Sequence, residues 1–222
     1  MKLAIVVPVK APSRAKHRLE AVMSAEERAA LAITMARDVM AVVAQFEEHG
    51  RFIVSDDAEV LKMAREFDLE PLEDHRLQGQ SAAVQQGFST AWERGYTAAL
   101  TIPGDVPGVS VDELRELCTY RPEVEVLLAR DRERIGTNGL RLIPPHAITL
   151  RFGEDSFRLH RDEAIRANRS FQTYDLPGLG CDLDHPEDVV AFQQLQRESG
   201  TIRFLTELKV FERVPAAVTP SV

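Results

Sequence analysis

Four cations stand within nine residues near the start of the chain: Lys10, Arg14, Lys16 and Arg18, with Pro12 and Ser13 among them. They follow Leu3 to Val7, a short apolar run with β-branched residues closed by Pro8, which reads as a buried strand of parallel type. In an open α/β sheet ligands bind outside the carboxyl ends of the strands, so this loop stands where a polyanion would sit. A solvated basic loop would carry the same charge. Asp105 follows a second apolar strand in Thr101-Ile102-Pro103-Gly104-Asp105-Val106-Pro107, where it either binds a metal over a nucleotide or forms a turn. Asp182 and Asp184 come from Gly180-Cys181-Asp182-Leu183-Asp184. At i and i+2 on an extended segment both carboxylates project to one face, with Leu183 pointing into the core. Two anions so close repel, which a divalent cation relieves; Asp184 by itself could equally cap the helix that follows. Three aspartates and four cations suit a nucleoside triphosphate with magnesium. Nucleotidyl transfer asks for charge neutralisation and in-line positioning rather than covalent help from the protein.

A second corner is offered by Gly136-Thr137-Asn138 and Gly153 to Ser156. Ser156, at a helix N-terminus after a glycine, presents backbone N–H groups and a hydroxyl to an anion, or is a plain N-cap. Asp56, after the second strand, either lies near a base or ribose or caps a helix. Cys181 reads as a small buried residue rather than a nucleophile.

These residues must be positioned by alternating strands and helices. Ser24 to Glu27 is a capping box, and the apolar residues from Met35 to Phe46 recur at helical spacing, predicting a long helix that ends near His49-Gly50. A strand follows over Arg51 to Ser55, then a helix capped by Asp56-Asp57 through about Phe67, and a strand around Leu69 to Leu72. Gly79-Gln80-Ser81 opens a helix to about Gly95, Thr97 to Ile102 is a strand, Val111 to Cys118 a short helix and Val124 to Ala129 a strand. Further on, strands are expected at Leu140 to Ile143, Gln172 to Tyr174 and Gly180 to Leu183. Helices are expected after Ser156 and from Pro186 to about Glu198, followed by an amphipathic segment over Ile202 to Phe211. This rhythm predicts an α/β fold with a single, mostly parallel sheet covered by helices on both faces. One domain over residues 1–214 is expected, with a frayed tail over residues 215–222.

At 222 residues the chain can bury a substantial core in one domain. The net charge of −8 argues against a general nucleic-acid binder and makes the basic loop a local feature of an acidic body. No apolar run is long enough to cross a bilayer and no secretory signal opens the chain, so no membrane association is expected. Two cysteines, Cys118 and Cys181, make a disulfide framework improbable and a reducing cytoplasm the default. The histidines show no zinc-type spacing.

Val7-Pro8-Val9-Lys10 and Ala15-Lys16-His17-Arg18-Leu19 resemble the V-P-x-K and A-K-S-R-L patterns of the 2-phospholactate or phosphoenolpyruvate guanylyltransferases of coenzyme F-420 biosynthesis. The resemblance extends over nearly the whole chain. The family's L-P-A-D-x-P is similar to the segment holding Asp105, with Gly104 for Ala. Its D-x-D followed by T-P-E-D resembles Asp182 to Asp188, with His185 for Thr, and its G-T-N and R-F-G-x-x-S-F match Thr137 and Arg151 to Phe157. The resemblance implies a nucleotide-diphospho-sugar-transferase-like domain that joins GTP to a small phosphorylated carboxylic acid: 2-phospholactate, phosphoenolpyruvate or 3-phosphoglycerate. Lys10, Lys16 and Arg18 would neutralise the triphosphate, and Asp105, Asp182 and Asp184 would hold Mg2+. Thr137, Gly153 and Ser156 would hold the acid's carboxylate. Where the family has G-L-N-A-A this chain has Gly79-Gln80-Ser81-Ala82-Ala83, so Ser81 leaves room beside the acid. A homodimer is compatible with this reading. The rivals are a nucleotidyltransferase for a sugar phosphate or molybdopterin, which would begin with a glycine-rich loop although no glycine lies between Met1 and Gly50, and a non-catalytic nucleotide-binding module.

Overall fold

The computed structural model describes residues 1–74 and 79–215, so of the tail expected to fray only Pro215 falls among the described residues. Seven strands form one sheet: β1 (Leu3–Pro8), β2 (Gly50–Ser55), β3 (Glu70–Glu73), β4 (Ala98–Thr101), β5 (Val126–Arg130), β6 (Thr137–Leu142) and β7 (Phe171–Thr173). Their spatial order is β3-β2-β1-β4-β6-β5-β7, and only β6 runs antiparallel to its neighbours. The helices are α1 (Ala25–Val43), α2 (Ala58–Glu66), α3 (Gln80–Glu93), α4 (Val111–Thr119), α5 (Ser156–Arg166), α6 (Pro186–Gln194), α7 (Gly200–Glu207) and α8 (Val210–Arg213).

The period of two along β1 divides the core. Leu3, Ile5 and Val7 pack with Ala36, Val39 and Met40 of α1, whereas Ala4 and Val6 pack with Val84 and Phe88 of α3 on the other face. Gly87 lets α3 press onto β1, because a Cβ there would stand 2.3 Å from a Val6 methyl. A third cluster joins Leu19 and Met35 to Leu183, Val189 and Phe192, binding the first loop to the segment that carries Asp182 and Asp184. Among the described residues no helix is long and apolar enough to cross a membrane.

Four expectations are corrected, the helix expected to reach about Glu198 ending already at Gln194. The first helix stops at Val43, and residues 44–49 turn through bonds such as Phe46 N–H to Val43 O that bury Phe46 before β2 begins. The sixth strand starts at Thr137 rather than Leu140, so Thr137 and Asn138 belong to the sheet. Gly180 to Leu183 joins no ladder. Its amides pair singly with turns and loops, Gly180 with Leu176 O and Leu183 with Asp105 O, so it is an extended strap tied to the loop after β4.

The C-terminal helices are tied to α1 by one carboxylate. Asp38 accepts the N–H groups of Gly200 and Thr201 at 3.0 and 2.8 Å and the Thr201 hydroxyl at 2.7 Å. Asp38→Ala removes these bonds at the start of α7 and should cost about 1–2 kcal/mol. Thermal unfolding followed by circular dichroism should show Tm lower by roughly 2–8 °C; an unchanged Tm would mean that the tie contributes nothing.

Candidate active site

Because β1, β2, β4 and β5 run in one sense and β6 in the other, the carboxyl ends of the former and the amino end of β6 share one edge of the sheet. Five of the ten candidate residues converge there, whereas Asp182, Thr137, Gly153, Ser156 and Ser81 do not line the cavity that those five form. A cavity of about 430 Å³ opens at this edge, and Lys10, Lys16, Arg18, Asp105 and Asp184 all line it. Lys10 and Arg18 are exposed, whereas Lys16 is buried with 4% of its side chain accessible.

Lys16 sits in the left-handed region (φ 59°, ψ 32°) between two single turns of 3-10 helix, Pro12–Arg14 and His17–Leu19. That conformation is costly for a residue with a Cβ and persists only where the surroundings over-determine it. Here its ammonium donates to Asp105 Oδ2 at 2.7 Å and to Asp184 Oδ1 at 2.6 Å. Burial works against its charge, but the two carboxylates outweigh burial and hold its pKa above the usual lysine range. Asp184 is affected in the opposite sense: burial raises its pKa, Lys16 outweighs that, and the group lies below the usual carboxylate range. Arg18 lies 3.8 Å from Asp184 and 3.1 Å from the His185 ring.

The capping alternatives are resolved by neighbours. The N-cap of α6 is His185, whose N–H Asp188 accepts at 2.7 Å, so Asp184 is not the cap and its carboxylate meets Lys16. Similarly Asp57 caps α2 through the N–H groups of Glu59 and Val60, and Asp56 instead lines the cavity, bonded to Arg14. Ser156 is the first residue of α5 and not its cap, a position held by Asp155 without a side-chain bond.

Asp182 stands behind the Lys16 junction. Asn138 Nδ2 donates to it at 3.1 Å and to Leu179 O at 3.1 Å. Burial, followed by the charge of Asp105, pushes its carboxyl up to about 7. Leu183 between the two aspartates is fully buried, as the alternation requires. Among the described residues no three of His, Cys, Asp or Glu stand together as a metal ligand set, and the Lys16 ammonium occupies the place between Asp105 and Asp184. The donors nevertheless suit a hard cation in type and charge: all are carboxylate oxygens, and Asp182 is hydrogen-bonded by the neutral Asn138 amide, with Lys16 acting on it only through its charge.

A register shift gives β6 its two roles. Ala129 pairs with Gly139 but Arg130 with Thr137, so Asn138 is the extra residue of a bulge. Asn138 faces Asp182, and Thr137 faces α5, where its hydroxyl lies 3.1 Å from His160 Nδ1. Ser156 is one turn before His160 on that helix, and both are buried. Gly153 takes φ +125°, a region open to glycine, and shapes the loop entering α5. The Ser81 hydroxyl accepts the Phe152 N–H at 2.9 Å and so docks this loop on α3.

Residues 3–215 match the family described as guanylyl transferase CofC like. The chain belongs to that family. It is 33% identical over 199 residues to a phosphoenolpyruvate guanylyltransferase of Conexibacter woesei, covering 88% of this chain and 89% of the relative. It is 30% identical over 191 residues to a 3-phospho-D-glycerate guanylyltransferase of Colwellia psychrerythraea, covering 85% and 90%. A solved structure from Desulfovibrio desulfuricans G20, described as a nucleotide-diphospho-sugar transferase, superposes with a TM-score of 0.79 over 96% of this chain and 99% of that one. At 16% identity it shows the fold alone.

Within this guanylyltransferase family member, His160 and the pairing of Arg14 with Asp56 were not legible in the sequence, and Asn138, grouped there with Thr137, turns instead to Asp182. Asn138 stood in a quoted motif, but its role depends on the bulge. His160 carried no signal beyond its place one turn after Ser156.

The raised Asp182 carboxyl has a consequence for stability. Its protonated form is favoured in the folded chain, so its contribution is present below the unfolded value near 4 and is lost as pH rises through about 7. In chelator-treated protein, Asp182→Asn should raise Tm at about pH 8 and the gain should shrink towards about pH 4. A gain that did not change with pH would remove Asp182 as the source.

Proposed function

We propose that this chain joins GTP to a phosphorylated three-carbon acid and releases pyrophosphate, as in coenzyme F-420 biosynthesis. The observation that carries the reading is the junction of Lys16 with Asp105 and Asp184 at a cavity rimmed by Lys10 and Arg18, in a chain of the guanylyltransferase family. Relatives are named for phosphoenolpyruvate and for 3-phosphoglycerate, and both acids carry a carboxylate close to a phosphate.

In this mechanism an oxygen of the acid's phosphate attacks the α-phosphorus of GTP. The bond from that phosphorus to the β-phosphate bridge breaks, and pyrophosphate takes the electron pair. A phosphomonoester has a second pKa of ~6, so the nucleophile is mostly dianionic near neutral pH and needs no general base. Lys10, Lys16 and Arg18 bring positive charge to the triphosphate, which counts for more in a partly dry site than in water. Asp105, Asp182 and Asp184 would hold magnesium, which when bound neutralises the triphosphate and the leaving pyrophosphate. Thr137, Gly153 and Ser156 receive the acid's carboxylate, with Ser81 holding the loop in place.

Protein incubated with GTP, magnesium and each acid in turn should release pyrophosphate with at least one acid, and Asp182→Asn should release none while remaining folded. Release only with a sugar phosphate would favour that rival, and GTP binding without release would leave a nucleotide-binding module. Lys16→Ala and Arg18→Ala should each weaken GTP binding or turnover by roughly tenfold. Parental values in both would remove the loop from nucleotide binding and leave Lys16 a structural tie between Asp105 and Asp184.

A further inference from the structure

His160 is a buried titratable group that the proposed chemistry does not use. It is 0% exposed, and both its ring nitrogens are engaged. Nε2 accepts the backbone N–H of Arg151 at 2.9 Å, and Nδ1 lies 3.1 Å from Thr137 Oγ1. The Phe152 ring packs edge-on against it, centroids 4.7 Å apart. Burial pushes the imidazole down to about 4, against the opposing charge of Glu163, so the ring is neutral near neutral pH.

A neutral imidazole carries one N–H and one acceptor nitrogen. Because a main-chain N–H can only donate, Nε2 is the acceptor and the proton resides on Nδ1. That proton is donated to Thr137 Oγ1. A hydroxyl that accepts from an imidazole must direct its own hydrogen elsewhere, and among the described residues Thr137 Oγ1 has no other partner.

We infer that His160 is a positioning residue that sets the Thr137 hydroxyl as a donor into the corner formed with Gly153 and Ser156, so that the corner is preorganised for the lone pairs of the acceptor's carboxylate. The inference rests on the proposed assignment of that corner to the carboxylate. The same ring docks the Arg151 to Ser156 loop through the Arg151 N–H, so the donor and the loop are set together. Its energetic sense is preorganisation: the hydroxyl need not turn from another acceptor when the acid binds.

Two substitutions separate the two nitrogens. His160→Gln can still accept the Arg151 N–H but presents no donor to Thr137, whereas His160→Asn can place an amide N–H where Nδ1 was and loses the Arg151 bond. With phosphoenolpyruvate, or 3-phosphoglycerate where that is the acid turned over, His160→Gln should raise the acceptor KM roughly three- to tenfold. The KM for GTP and kcat should stay within about twofold, and His160→Asn should lie nearer the parent. Thr137→Val should raise the acceptor KM similarly, and adding His160→Gln to it should have little further effect, because both remove one interaction. A parental KM in His160→Gln, an equal rise in both His160 variants, or effects that multiply with Thr137→Val would overturn the inference. Nitrogen-15 NMR of the full chain provides a test independent of turnover: the His160 signals should report Nδ1–H, and an Nε2–H tautomer would sink the idea even if no variant folds. If Thr137→Val leaves the acceptor KM unchanged, the carboxylate assignment fails and the inference falls with it. If Thr137→Val raises KM and His160→Gln does not, only the inference is lost.

Discussion

The site depends on one buried ammonium. Lys16 can stay charged out of solvent only because Asp105 and Asp184 meet it, and those three residues come from the loops after β1, after β4 and before α6. One ion-pair junction therefore ties together three segments that are distant in sequence. Asp182 stands outside that junction, with no ion pair of its own among the described residues, while Arg18 adds a second cation near Asp184. Burial, and after it the charge of Asp105, raises the pKa of Asp182. A triphosphate could approach these carboxylates only with cations of its own and with the basic rim of Lys10, Arg14 and Arg18 above them.

The bulge at Asn138 is the second constraint. Strict alternation would send Thr137 and Gly139 to the same face, yet the extra residue turns Thr137 towards α5 and Asn138 towards Asp182. Two consecutive residues of one strand thus serve the two halves of the site. The antiparallel sense of β6 makes this useful, because it brings the start of that strand to the edge where the parallel strands end.

The neighbouring loop is held by unlike parts. Ser81 from α3 takes the Phe152 N–H, His160 from α5 takes the Arg151 N–H, and Ile135 O takes the Phe157 N–H. With the backbone held from three directions, Gly153 can take a conformation few other residues would adopt without the loop becoming loose.

The sequence by itself determined the layered architecture, because periods of 2 and 3.6 and capping patterns such as Ser24 to Glu27 are local signals. It also marked Lys16, Asp105, Asp182 and Asp184, since charged residues beside apolar strands in Pro- and Gly-rich loops carry their own explanation. Tertiary structure decided the rest. Whether Asp56 or Asp57 caps α2, and whether Asp184 caps α6, depended on competing partners that local pattern does not rank: Arg14 claims Asp56, and His185 takes the cap position while Lys16 claims Asp184. Gly180 to Leu183 had the composition of a strand but found no neighbouring ladder, and so became a strap. The tautomer of His160 was set by a backbone N–H nine residues earlier, through a loop whose path no periodicity records. Local pattern specifies which groups are available; only the packed chain specifies which of them meet, because hydrogen bonds and ion pairs are strong only at contact.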